Sequence, residues 1–234
     1  MRIHVAFTPA EAAPSPVAVV VDLMRATSTI AQALASGWER VYCAPGIEEA
    51  RALRDTLGEG LLGGERDAIQ IPGFDLGASP REVREPRGST LIMSTTNGTR
   101  AIVSAAASCD TVLLGSLLNL DAVVSKVRER GEDVTIVCAG WKGGFAVDDA
   151  YCAGRITRGL QGERTDAAVA AEVIAAAFPQ SIDGINARTY GPPGLEEDIA
   201  WVSQDNLLEV IPRFTRMVDG AAEIVASDGA SPRT

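Results

Sequence analysis

Residues 17–21 read Val-Ala-Val-Val-Val, an apolar run dominated by β-branched side chains, and the residue that follows is Asp22. Such a run has no polar face to turn to water, so a strand built from it must be covered on both sides. Covered strands of this kind belong to parallel sheets with helices above and below. A carboxylate placed directly after one stands at the carboxyl edge of the sheet, where α/β folds bind their ligands. The run therefore narrows the fold to α/β and directs the search for chemistry to residues that follow strands.

The same alternation continues along the chain. A helix over Thr27–Ser36 has Thr27 or Ser28 to cap it and Gly37 to end it. Strand Arg40–Cys43, helix Ile47–Leu57 and strand Leu61–Leu62 follow, then a Gly/Pro-rich loop from Gly63 to Pro80. Strand Thr90–Ser94 leads to a helix over Gly98–Ala107, and strand Thr111–Leu114 to a helix over Leu120–Arg130. Strand Val134–Ala139 leads to a helix over Asp149–Leu160, and Ala167–Phe178 is helical by propensity. Strands and helices alternating at this spacing predict a three-layer α/β/α fold with a mostly parallel, possibly mixed, central sheet. No repeat or linker divides the chain, so a single domain is expected over residues 1–226, with a disordered tail over Ser227–Thr234.

At 234 residues the chain can bury a sizeable core without disulfide or metal staples. It carries 21 Lys and Arg against 31 Asp and Glu, a net charge of −10, which argues against a nucleic-acid backbone as partner. A small anionic ligand remains open, provided positive charge is gathered locally. The four cysteines form no CxxC pair, and His4 is the only histidine, so zinc-finger, redox-pair and Ser-His-Asp readings all fail. Neither a signal peptide nor a membrane-spanning stretch is visible, and a soluble cytoplasmic protein is expected. Gly58–Gly63 spells GxGxxG, but a helix precedes it and a strand lies inside it, the reverse of a dinucleotide-binding turn.

What remains is polar chemistry after the strands. Asp22, Arg25, Thr27 and Ser28 follow the first run, and Glu65 and Arg66 follow Leu62. Ser94-Thr95-Thr96-Asn97-Gly98-Thr99 closes the Thr90 strand, Ser116 and Asn119 follow Leu114, and Asp148 and Asp149 lie beyond Ala139. Hydroxyl-rich turns that open helices offer free N–H groups and the positive helix end to an anion. Arg25 and Arg66 supply bidentate donors for phosphate, carboxylate or sulfonate oxygens. Carboxylates beside them would repel an anion unless a divalent cation lay between, and oxygen ligands favour Mg²⁺ over zinc. Each residue also has an ordinary explanation as a cap, a first-turn acid, a turn or a solvated charge. Their common position on one rim is the argument for a site.

Taken together, these segments resemble the 2-phosphosulfolactate phosphatase family. The matching stretches are Val19–Gly37 (VVVDLMRATSTIAQALASG), Gly64–Pro80 (GERDAIQIPGFDLGASP) and Ser94–Ile102 (STTNGTRAI). Gly115–Asn119 (GSLLN), the segments within Val137–Gly154 and Gly194–Trp201 (GLEEDIAW) continue the match in the same order. Ala78, Trp141-Lys142 and Asp148 depart from the usual pattern, which bears on fine specificity more than on reaction type.

The resemblance implies a Mg²⁺-dependent phosphomonoester hydrolase acting on (2R)-2-phospho-3-sulfolactate, a step towards coenzyme M, in a homodimer. On that reading, Mg²⁺ is expected to be held by Asp22 with one or both of Glu65 and Asp148. Arg25, Arg66 and the Thr95–Gly98 amides would hold phosphate oxygens, and Thr27, Ser28, Thr96, Asn97 and Ser116 would complete the cradle. The nucleophile is either Asp22 or an activated water. A phosphatase for another small anionic phosphoester, or a non-catalytic binder of a phosphorylated metabolite, are the competing readings.

Overall fold

The computed structural model describes residues 1–189, 191 and 193–227. The opening run is β2 (Val17–Val21), and all five of its residues are buried. It lies between two parallel neighbours, β7 (Thr111–Gly115) and β8 (Val134–Cys138). Strand β1 (Arg2–Ala6) pairs parallel with β8 and carries the two-residue edge strand β9 (Glu163–Arg164) on its other side. A second parallel block consists of β3 (Arg40–Cys43), β6 (Thr90–Ser94) and β4 (Leu61–Arg66), with the short antiparallel β5 (Ile69–Gln70) at its rim. The two blocks are joined by an antiparallel hairpin, β10 (Pro212–Val218) and β11 (Ala221–Ala226). The full order is β5-β4-β6-β3-β11-β10-β7-β2-β8-β1-β9, so the sheet is mixed and mostly parallel.

Helices cover both faces, as the alternating pattern requires. Helices α4 (Leu120–Arg130), α5 (Val147–Gly159) and α6 (Asp166–Ala177) pack with β1, β2 and β8 in one apolar cluster. On the opposite face, α1 (Ala26–Ala35) and α3 (Gly98–Ala106) pack against the alternate residues Ala18 and Val20 of β2 and against residues of β3, β6, β7 and β11. Helix α2 (Ile47–Leu57) covers the outer side of β4 and β6. Helices α7 (Ser181–Asn186) and α8 (Glu196–Val202) close the connection back to the hairpin. The fold is α/β with an α/β/α layering.

The sheet is far from flat. Helix α3 touches both β3 and β8, which lie five strand positions apart in the order. On a flat sheet those strands would be about 24 Å apart at ~4.8 Å per step. A helix with its side chains is only about 10–12 Å across. The sheet must therefore curl around α1 and α3, and that curl lets the end of β2 meet the ends of β4 and β6.

Most expected elements fall within two residues of their observed bounds. Three departures are informative. The loop expected from Gly63 begins instead as a continuation of β4, with Gly63 and Gly64 paired to Met93 and Ser94. Two glycines show no side-chain periodicity, yet their bare backbone is what lets β6 approach. The β10–β11 hairpin and the short helices α7 and α8 had no counterpart in the sequence reading. Of the disordered tail expected over Ser227–Thr234, Ser227 is instead buried and its N–H donates to the Ile211 carbonyl at 2.9 Å, while residues 228–234 lie outside the described residues. No described helix is long and apolar enough to cross a membrane.

Candidate active site

A cleft opens over the carboxyl ends of β2, β4 and β6. Its wall takes Asp22, Met24 and Arg25 from the β2–α1 turn, Glu65 and Ala68 from the β4–β5 hairpin, and Thr95 and Asn97 from the turn into α3. Trp141, after β8, and Arg188, Gly191 and Leu195, from the α7–α8 connection, close the remaining side.

Asp22 sits at the centre of the acidic side. Its Oδ1 accepts the Ala26 N–H at 3.2 Å, and the start of α3 is pressed against its other face: a Cβ on Gly98 would meet Asp22 Cγ at 3.0 Å. Burial pushes the Asp22 carboxyl up to about 7, and the charges of Glu65 and Asp148 push the same way, against the Ala26 N–H and Arg25. Asp149, at the start of α5, ties two strand ends together by accepting Leu23 N–H at 2.8 Å and Gly140 N–H at 2.9 Å. Its carboxyl is also raised well above the usual range, by burial first and then by Asp148 and Asp22. Asp148 is itself 1% exposed and accepts the Asp149 N–H. Three neighbouring acids thus crowd a water-poor space, an arrangement that favours a cation or a retained proton.

Glu65 is held differently. One oxygen accepts Thr96 N–H at 2.7 Å, and the other accepts Ala68 N–H at 2.6 Å and the Thr96 hydroxyl at 3.1 Å. It therefore fixes the β4–β5 turn to the turn after β6. Arg66 acts across the same seam, donating to Glu65 O, Ser94 O and Ser94 Oγ between 2.7 and 3.1 Å, and it is absent from the cleft wall. Arg25 lines the cleft, with its guanidinium bound to Asp198 at 2.6 Å and to the Ala68 carbonyl at 3.1 Å.

Several expected cradle hydroxyls turn inward. Thr27 Oγ1 donates towards the carbonyls of Asp22 and Gly115 and accepts Asp22 N–H. Ser28 Oγ donates to Leu23 O at 2.8 Å, and Ser116 Oγ accepts Leu118 N–H in a capping box with Asn119. All three are fully buried and none is on the cleft wall. Thr95 exchanges bonds with Thr99 at the start of α3, while Asn97 Oδ1 accepts Lys142 N–H at 3.1 Å and so joins two sides of the cleft. Arg188 and Asp198 were not singled out from the sequence. Both come from a connection that follows no strand, although Asp198 lies in the Gly194–Trp201 stretch already noted.

Among the described residues, no group of three or more His, Cys, Asp and Glu side chains converges to hold a metal unaided. Acids and arginines at the joined ends of parallel strands suit a ligand that is itself anionic. Comparison with known proteins bears on which one. A family model described as 2-phosphosulpholactate phosphatase matches residues 4–217. A protein of Clostridium acetobutylicum named "Probable 2-phosphosulfolactate phosphatase" is 38% identical over 211 residues, covering 85% of this chain and 89% of its own. Proteins of the same name from Carboxydothermus hydrogenoformans and Thermus thermophilus are 35% and 38% identical, covering 91% and 87% of this chain and 92% and 90% of their own. A match running from β1 to β10, and so through every segment that meets at the cleft, places this chain in the 2-phosphosulfolactate phosphatase family.

Proposed function

We propose that this cleft hydrolyses the phosphomonoester of 2-phosphosulfolactate, releasing sulfolactate and phosphate, with Mg²⁺ as cofactor. The observation that carries the reading is the meeting of the acids Asp22 and Glu65 with Arg25 and Arg188 on the wall of one cleft, with Asp148 close enough to act on the charge of Asp22. The names of the relatives support the substrate, and the family resemblance alone supports a place on the route to coenzyme M.

The donor set is compatible with Mg²⁺. That ion is commonly held by one or two carboxylates, with waters and substrate phosphate completing its shell. Asp22 and Asp148 would hold it, while Glu65, already accepting three hydrogen bonds, keeps the β4–β5 turn in place. When bound, the ion would offset the charge of the acids and of the phosphate oxygens. Arg25 and the N–H groups at the start of α3 would hold the transferring phosphoryl group, whose charge spreads over its equatorial oxygens. Arg188 would meet the carboxylate or sulfonate of the substrate. Trp141 and Leu195 would shield the reacting centre from bulk water.

Phosphate release should be measured with Mg²⁺ on phosphosulfolactate beside phospholactate and phosphoglycerate. Preference for phosphosulfolactate, abolished by chelation, supports the reading. Preference for another phosphoester would reassign the substrate, and binding without release by any of the three would leave a metabolite binder. Rapid quenching of a turnover of ³²P-labelled substrate separates the two nucleophiles, since only attack by Asp22 leaves hydroxylamine-sensitive label on the protein.

A further inference from the structure

We propose that Asp198 is a positioning residue for phosphoryl transfer, fixing the Arg25 guanidinium in the orientation it uses on the substrate. The inference rests on the phosphatase reading of the cleft and adds a residue 173 positions away in sequence from the arginine it serves. Arg25 Nη1 donates to Asp198 Oδ2 at 2.6 Å, and Ser79 Oγ donates to Asp198 Oδ1 at 2.6 Å. Arg25 Nη2 donates to the Ala68 carbonyl at 3.1 Å. Both carboxylate oxygens and both terminal nitrogens of the arginine are thereby engaged. The ion pair is buried, with side-chain exposures of 9% and 8%.

Burial and geometry argue for orientation rather than for stability. A buried ion pair contributes little net stability, since an apolar pair of the same volume often serves as well. Two further hydrogen bonds, from Ser79 and to Ala68, add nothing to neutralisation but remove rotational freedom from the pair. A guanidinium has five N–H donors, so the two engaged here leave others for the cleft that Arg25 lines. Helix α8, which carries Asp198, is seated independently. Trp201 Nε1 donates to Gln32 Oε1 at 3.0 Å, Arg84 stacks on the Trp201 ring, and Arg81 pairs with Glu197. Asp198 is therefore not the group on which the docking of α8 alone depends.

The test is a double-mutant cycle on the full chain, with melting temperatures recorded alongside. Asp198→Asn should lower kcat about 10- to 100-fold while KM changes less than about threefold, and Arg25→Ala should lower it at least as much. The double variant should be no slower than Arg25→Ala alone, because the aspartate acts through the arginine. Added guanidinium should partly restore Arg25→Ala but not the double variant. Ser79→Ala, which leaves every charge in place, should lower kcat by a smaller factor. Multiplying effects in the double variant, or equal rescue of both Arg25 variants by guanidinium, would overturn the proposal. If the unmutated chain releases no phosphate from any substrate, the phosphatase reading fails separately, and calorimetry with inorganic phosphate runs the same cycle on binding. A loss of phosphate affinity on adding Asp198→Asn to Arg25→Ala would then reject the role given to Asp198, which acts only through the arginine.

Discussion

Gly98→Ala is the smallest change that separates Asp22 from the start of α3. An added Cβ would lie 3.0 Å from Asp22 Cγ and closer still to Asp22 Oδ2 and the Ala26 methyl. Carbon atoms rest about 3.5–4.0 Å apart, so the helix end must retreat by at least about 1 Å. Neither neighbour can turn away cheaply. The Ala26 methyl is fixed to its backbone, and the Asp22 carboxylate is bound to the Ala26 N–H. Overpacking of this kind costs about 1–3 kcal/mol. At about 2–4 °C per kcal/mol for a chain of this size, the melting temperature should fall by about 2–12 °C. A displacement of about 1 Å within a reacting constellation can reduce turnover about 100-fold. Gly88→Ala is the control, since Gly88 is exposed and nothing lies within 4 Å of its would-be Cβ. Melting curves and phosphate release on the three proteins decide the matter. A Gly98→Ala enzyme with melting temperature and kcat/KM equal to those of Gly88→Ala would refute the close approach of α3 to Asp22.

Other perturbations test other parts of the structure. Thr27→Val should destabilise by about 1–3 kcal/mol, measured by denaturant unfolding, because it strips buried backbone groups of Asp22 and Gly115 of a hydroxyl partner. Mg²⁺ at 100 times its dissociation constant should stabilise the chain by about 2.7 kcal/mol, visible as a higher melting temperature, and Asp22→Asn should abolish most of that gain. Burial pushes the Cys43 thiol up to about 12 and raises Cys138 and Cys152 well above the ordinary thiol range, whereas Cys109 is partly exposed. Ellman's reagent should therefore titrate one thiol quickly in the native chain and all four after unfolding.

The parallel strands were legible because an apolar run covered on both faces writes itself into the sequence without interruption. The bounds of β2, β3, α2, β6 and α4 are those expected. The β10–β11 hairpin left a signal that the reading passed over. Asp219-Gly220 stands between two segments of strand-forming residues, and both residues have positive φ, 47° and 80°, as a tight hairpin turn demands. Within the cleft, Asp22, Thr95 and Asn97 follow strands and were found by that rule. Asp198 and Arg188 follow none. Asp198 reaches the cleft through contacts with Arg25 and Ser79, more than a hundred positions away in sequence, which no single segment displays. Hydroxyl residues misled in the other direction: Thr27, Ser28 and Ser116 have the composition of an anion cradle, yet each is consumed by the backbone groups that strand ends and helix starts leave unpaired.

In the proposed function Asp22 is the centre of a hydrolytic cleft. The direct measurement is phosphate release from phosphosulfolactate, with Mg²⁺, by the unmutated chain and by Asp22→Asn. Asp22→Asn should lose at least about 1,000-fold in kcat with the melting temperature retained. Turnover by Asp22→Asn within tenfold of the unmutated chain would contradict it.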